Sequence, residues 1–515
     1  MALPPSSSSS RNCRFVPPHL PDECWESIFK HLTNPHDLES LSLVSRRFHS
    51  FINRIHTHLT VSEGLLPHLP ALLRRFPNLT SIELTRYINA DIDAILSQIA
   101  SFDLPSLHSL DISHQRTFPS DGLRQFSQKF PTLKSLYCSH THPDLVLIDE
   151  CFPNLEEIDV SLTYLFPDTE ALASGLKKLR KLDLSGTYML GDSSIFTFCQ
   201  NCVSLEALVV HQTDSISKIG IGNAIRQRPQ LRSLDVRWGN VTLEFIAALA
   251  LCAIAEGGLP LRELSLGDSS GYQYSGISCL LRKCNLQYLD LQRTEFLNDE
   301  CVIELSLLLG NLNVVKLSGN EKLTDLSLLA IMRNCPFITE IRMERTSLGK
   351  HKLEEDCLVV NSHLKFLYLA QNKWLDDGSV TMLASVCPNL GMIDLTESWR
   401  VSKGAIDVLQ MCRKIQHMNL AHLGWDLFQF LVNFEVPTLF VLNLSWTRIS
   451  DEELSLISKS CYKLKELNLD CCQKITANGV KQVVKNCKQL RMISLYSCEK
   501  YLVTLLLGWY SKGHL

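Results

Sequence analysis

The chain is 515 residues long, 45% apolar and 20% charged, a globular balance that argues against global disorder. Fifty Lys and Arg against 54 Asp and Glu leave a formal charge of −4, so no overall basic field points to nucleic acid. No apolar run reaches the roughly 18–20 residues that a bilayer crossing needs, the longest candidates being 245–255 and 501–510.

Length alone suggests about three domains of roughly 150 residues, unless repeats make one long body. Residues 1–15, with Pro4, Pro5 and the serines Ser6 to Ser10, lack the basic and apolar stretches of a secretory signal. They read as a disordered polar leader. Nineteen cysteines, an odd number spread through the chain, fit reduced thiols in the nucleus or cytoplasm better than a disulfide scaffold.

Residues 16–60 read as three short helices. Pro21 with Asp22 and Glu23 makes a helix start, and Cys24, Ile28, Phe29 and Leu32 follow at near-helical spacing. Asn34-Pro35 opens a second helix that ends near Leu41, and Leu43 to Ile52 forms a third. Residues 61–75 are a linker or a first cap.

From residue 76 to 515 a repeat dominates. An apolar residue, two variable ones, a second apolar, one variable and a third apolar recur seventeen times, from LTSIEL at Leu79 through LRKLDL at Leu179 and LKFLYL at Leu364 to LRMISL at Leu490. Thirteen of the sixteen spacings are 24–26 residues, a register that chance does not keep. The second and third anchors, two residues apart, share one face of a short strand. Polar turns such as Thr324-Asp325, Asp376-Asp377 and Ser450-Asp451 then supply N-caps for a helix. One strand and one helix cannot bury their apolar faces alone, so the units stack in parallel as a curved α/β solenoid. The apolar tail Tyr501–Tyr510 reads as its last helix.

The repeat resembles the leucine-rich repeat. Cys202, Cys335, Cys387, Cys412, Cys461 and Cys487 each stand three residues before a first anchor, and Cys472 and Cys498 each follow a third anchor by three. This placement is similar to the cysteine-containing subclass, where the thiols are small core groups. Cys199-x-x-Cys202 has no second ligand pair at finger-like spacing, so no metal is expected.

The helical module resembles the F-box, on Leu20, Pro21 and Glu23, the apolar Ile28 and Phe29, and Leu41 through Val44, Ser45, Arg46, Arg47 and Phe48. It departs from the family pattern at Trp25, where an aliphatic residue is commoner, and at Phe48, where Trp is usual. The resemblance implies docking on the Skp adaptor of cullin-based SCF ubiquitin ligases through Leu20, Pro21, Ile28, Phe29, Leu41, Val44, Ser45, Arg47 and Phe48. It also implies a non-catalytic subunit without cofactor that presents a protein substrate for ubiquitination and degradation. A solenoid scaffold or inhibitor with a helical cap is the alternative. A hormone co-receptor resembling the plant auxin and jasmonate receptors lacks support, since no dense basic cluster lies on the inner wall.

Places two, four and six after the first anchor form that inner wall. The fourth is often acidic, as at Glu83, Asp111, Asp159, Asp183, Asp235 and Asp290, and is read as a merely solvated row. Trp238, Trp374, Trp399, Trp425 and Trp446 fall just beyond strands, with Arg237, Arg293, Arg342, Arg345, Arg400 and Tyr368 in the same zone. Trp, Tyr and Arg combine apolar area with hydrogen-bonding handles, so this group is the expected substrate surface.

Overall fold

The computed structural model describes residues 21–30, 32, 35–87, 90–163, 176–187, 189–213, 215–237, 259–268, 274–351, 359–423 and 435–498. Leu20, Trp238, Trp425 and the tail 501–510 lie outside them. The chain divides into two units, Met1–Leu155 and Glu156–Leu515.

The first unit opens with helices α1 (Asp22–Lys30), α2 (Pro35–Ser42) and α3 (Arg46–Ile55). Asp22 and Glu23 in the first turn of α1, with Lys30 in its last, match the helix dipole at both ends. Ser45 caps α3, its hydroxyl accepting the Phe48 N–H at 3.1 Å. The three helices close on Phe29, Phe51 and Ile52, with Trp25, Leu32, Leu38, Leu41, Phe48 and Ile55 packed around them. Four parallel strands follow: β1 (His58–Val61), β2 (Ser81–Leu84), β3 (Ser109–Asp111) and β4 (Ser135–Tyr137).

Strand β1 is one more than the seventeen motifs account for, and it crosses the boundary placed at residue 60. Residues 61–75, read as a linker or first cap, hold a 3₁₀ turn (Glu63–His68) and a helix (Leu69–Arg75). Leu59 and Val61 are its inward anchors, 6% and 0% exposed. The motif misses this unit because His56 takes the first-anchor place, stacking on Phe76 at 4.4 Å instead of offering an aliphatic group. Burial, then the neighbouring His58 and Arg75 charges, holds the His56 imidazole below its ordinary pKa, so it packs as a neutral ring.

The second unit contributes fourteen short strands, from Glu157–Asp159 to Met492–Ser494, each parallel to the next and in step. The anchors point inward: Leu364, Leu367 and Leu369 are all 0% exposed. Thr324, Asp376 and Ser450 cap the helices that follow, and Ser450 with Glu453 completes a capping box. The Asp at the next place reaches across to the following repeat. Asp377, for example, accepts Ser402 N–H at 2.6 Å and Gly404 N–H at 2.8 Å. Each cap therefore ties two units.

Eight cysteines in register with the repeat form two rows. Cys202, Cys335, Cys387, Cys412, Cys461 and Cys487 are helix C-caps, all 2% exposed or less. Burial pushes the thiols of Cys335, Cys387 and Cys461 up to about 12. Cys199 is likewise pushed up to about 12 by burial and then by Cys202, so its thiol sits protonated in the core beside buried Cys202. Cys472 and Cys498 occupy the place held elsewhere by buried asparagine. Asn372 donates to Met343 and Leu369 carbonyls at 2.8 and 2.9 Å, and Cys472 donates to Leu444 carbonyl at 3.1 Å. Asparagine and cysteine here bridge to the preceding repeat, whereas the threonines at this place, such as Thr187 and Thr447, bond the carbonyl of their own repeat.

Just beyond each strand the chain must turn sharply. The residue seven places after the first anchor is left-handed in all fifteen motifs from Leu107 onward where it is described, from His114 (φ 65°) to Ser497 (φ 55°). Glycine fills only two of these places, Gly186 and Gly319. The freed N–H donates to the next repeat, as from Arg345 to Ala370 at 3.0 Å and from Gln371 to Thr396 at 2.7 Å. The turn is thus held by backbone, which leaves its side chains pointing off the rim.

Candidate protein-binding surfaces

The helical module holds its shape with two charge pairs between α1 and α3. Arg47 Nε donates to Asp22 at 3.1 Å and Arg54 Nε to Glu26 at 2.7 Å. Trp25 and Phe48, the two departures from the family pattern, lie against each other with ring centroids 4.9 Å apart. Aromatic bulk is exchanged between facing helices, so the core stays filled.

The proposed docking residues divide by burial. Phe29 is 2% exposed and Phe48 packs on it at 5.0 Å, so both are core supports rather than contact groups. Leu41 is half-buried on the same core. Pro21, Ile28, Val44, Ser45 and Arg47 are exposed, Ser45 as a cap and Arg47 as the partner of Asp22. Leu43, passed over in the motif, is 86% exposed beside Val44 at 66% in the turn between α2 and α3. The two form an adjacent apolar pair in water on a small helical module. Chain pattern hid Leu43, because its helical spacing suggested packing.

On the sheet, the acidic row is not merely solvated. Asp111, Asp159 and Asp183 each accept the backbone N–H two residues on, from Ser113, Ser161 and Ser185, at 2.8, 2.8 and 2.9 Å. They hold the strand exit in place. Asp235 instead grips Arg237 through a fork of 2.9 and 2.8 Å, with His211 Nε2 at 2.7 Å. Burial would raise its carboxyl, but the bonds and charges of His211 and Arg237 hold it below the ordinary value. Arg237 lines a 610 Å³ groove with Arg293, whose Nε lies 2.5 Å from Asp268. Both guanidiniums are tied to carboxylates of the protein itself.

Arg342 is also occupied, bonded to Glu340 at 2.6 Å and stacked 4.0 Å over Tyr368. Trp446, 58% exposed, stacks on His422 at 5.0 Å. The remaining candidates converge. Arg345, Trp374 and Trp399 line one groove of about 480 Å³ together with Gln371, Lys373 and Glu397, and the Arg400 guanidinium lies 5.1 Å over the Trp374 ring. Trp374 is 42% and Trp399 61% exposed. Gly349 (φ 86°) permits this arrangement, because a Cβ there would stand 2.3 Å from the Trp374 carbonyl oxygen. Lys373, Gln371 and Glu397 were not legible as site residues; only the left-handed turn marks the last two.

Residues 17–61 match the F-box-like family model, and residues 460–483 match a leucine-rich-repeat model. The chain is 21% identical over 535 residues to F-box protein FBX14 of Arabidopsis thaliana, covering 90% of this chain and 80% of that protein. It is 24% identical over 235 residues to F-box/LRR-repeat protein 4 of Bos taurus, covering 44% of this chain and 33% of that protein. The chain carries an F-box-like module followed by leucine-rich repeats. Among solved structures, the F-box/leucine-rich-repeat chain is similar to the TLR13–ssRNA13 complex with a TM-score of 0.51 at 18% identity. That match covers 82% of this chain and 64% of the other, and it shows the repeat fold alone.

Proposed function

We propose that this chain is the substrate-recognition subunit of an SCF-type ubiquitin ligase, acting in the nucleus or cytoplasm. The F-box docks on a Skp adaptor, and through it on a cullin, while the repeat sheet and its rim hold a protein substrate. Ubiquitin transfer belongs to other subunits. The chain contributes proximity, raising the effective concentration of a substrate lysine at the charged carrier and so marking the substrate for degradation.

The observation that carries this reading is the exposed Leu43-Val44 turn on an F-box that leads straight into the repeats. It supplies an apolar docking group at one end and a broad binding sheet after it. The test is co-purification of the full chain with Skp adaptor and cullin. Recovery of both supports the receptor role. A folded chain that captures neither becomes a scaffold with a helical cap.

A further inference from the structure

The Trp374–Trp399 groove sets Arg345 and Lys373 against Glu321 and Glu397 on its walls, with the Arg400 guanidinium beside it. Arg345 donates to Gln371, whose amide donates to Glu397 at 2.9 Å, so this acid and this base are linked through one glutamine. Asp376, whose backbone pairs with that of Arg400, and Asp377 send their carboxylates to serines. Asp376 accepts Ser379 N–H and Oγ, both at 2.9 Å, and Asp377 accepts Ser402 N–H and Oγ, both at 2.6 Å. Among the described residues, Lys373 and Arg400 form no ion pair with a carboxylate, and the groove wall carries Glu321 and Glu397 as its acids. An arginine stacked on an aromatic face keeps its in-plane N–H groups free for a carboxylate. The indoles beside it offer flat apolar area that costs little side-chain entropy to immobilise.

Resting on the receptor role, we propose that this groove seats a substrate segment carrying an apolar side chain next to an Asp or Glu. The apolar group lies between Trp374 and Trp399, and the carboxylate meets Arg400 and Lys373. Recognition of this kind reads a short linear stretch and needs no folded substrate domain. Glu321 sets the polarity, since a basic residue on that side of the segment is tolerated and a second acid there is not.

The test is selection of a displayed random peptide library on the full chain, with Trp399→Ala and Arg400→Glu variants in parallel. Selected peptides are expected to pair Leu, Ile, Phe or Trp with a neighbouring Asp or Glu. Affinity for a selected peptide is expected to drop by about tenfold or more in each variant, as at a binding hot spot. Both side chains are exposed, so circular dichroism should not change. Basic or charge-free peptides, or equal affinity for the Trp399→Ala chain, overturn the proposal. Adaptor capture, measured on the same samples, separates the two ideas: its loss alone removes the receptor role and leaves the groove's preference standing.

Discussion

Replacing Leu43 and Val44 together by alanine is expected to release the adaptor without unfolding the F-box. Enclosing a Leu or Val side chain from full exposure stabilises by about 1.5–3 kcal/mol. The two side chains stand 86% and 66% exposed, so an interface that covers both gains most of that value twice. Alanine keeps each Cβ, which brings the expected loss to about 2–4 kcal/mol, or roughly thirty- to thousandfold in Kd. The module's core is Phe29, Phe51 and Ile52, which the double variant does not touch. Titration calorimetry with purified adaptor reads the affinity, and thermal melting of the same samples reads the fold. A Kd within about threefold of the parent, with an unchanged melt, would refute the assignment of this turn as the docking group.

Three further outcomes are expected. Asn372→Ala orphans the Thr346 N–H, which the Asn372 oxygen accepts at 2.9 Å, and takes one donor each from the Met343 and Leu369 carbonyls, which keep only the Thr346 and Ser398 hydroxyls at 3.1 and 3.3 Å; Asn372 itself is 0% exposed. Urea unfolding should show a loss of about 2–4 kcal/mol, and Asn372→Cys should lose less, since Cys472 fills the same place with a working donor. Iodoacetamide at neutral pH should label exposed Cys24 and half-buried Cys471 in the native chain, and Cys335, Cys387 and Cys461 only after denaturation, as peptide mass spectrometry will show. The same burial predicts alkaline destabilisation. Cys387 is raised from 9.0 to about 12, so the unfolded chain ionises first and stability falls as pH climbs through that window. A melting point with the same alkaline slope in Cys387→Ala counts against it.

What could be read from the residues was set by how tightly packing constrains them. Anchors such as Leu364, Leu367 and Leu369 must fill a closed core, so their spacing survives in the chain as a period. The unit at β1 escaped because stacking on Phe76 lets His56 replace an anchor. In the F-box, core and contact residues interleave at helical spacing. Phe29 and Val44 were therefore indistinguishable until burial separated them at 2% and 66% exposure. The Trp374–Trp399 groove was half legible. Its tryptophans declared themselves by type, but nothing in the chain sets Lys373 apart from other lysines, and its place on the groove wall appears only in the fold.

The left-handed row bears on where this array can vary. A side chain other than glycine in that conformation costs about 1–2 kcal/mol, and Asn or Asp least. Selection for stability alone would fill the row with glycine and asparagine, yet it reads Arg293, Arg345, Gln371, Glu397, His422 and Trp446. Part of the cost is offset locally: Arg345 bonds Gln371, Gln371 bonds Glu397, and His422 stacks on Trp446. Glycine would keep the backbone bond from each turn to the next repeat, because that bond uses the N–H and not the side chain. What glycine would remove is the outward surface. The side chains at these turns are therefore retained against a backbone preference, and the groove at Arg345, Gln371 and Glu397 is where three of them in succession meet two exposed tryptophans. Strain and exposed aromatic area coincide there, on the rim of these repeats rather than on the acidic strand row that holds the turns in place.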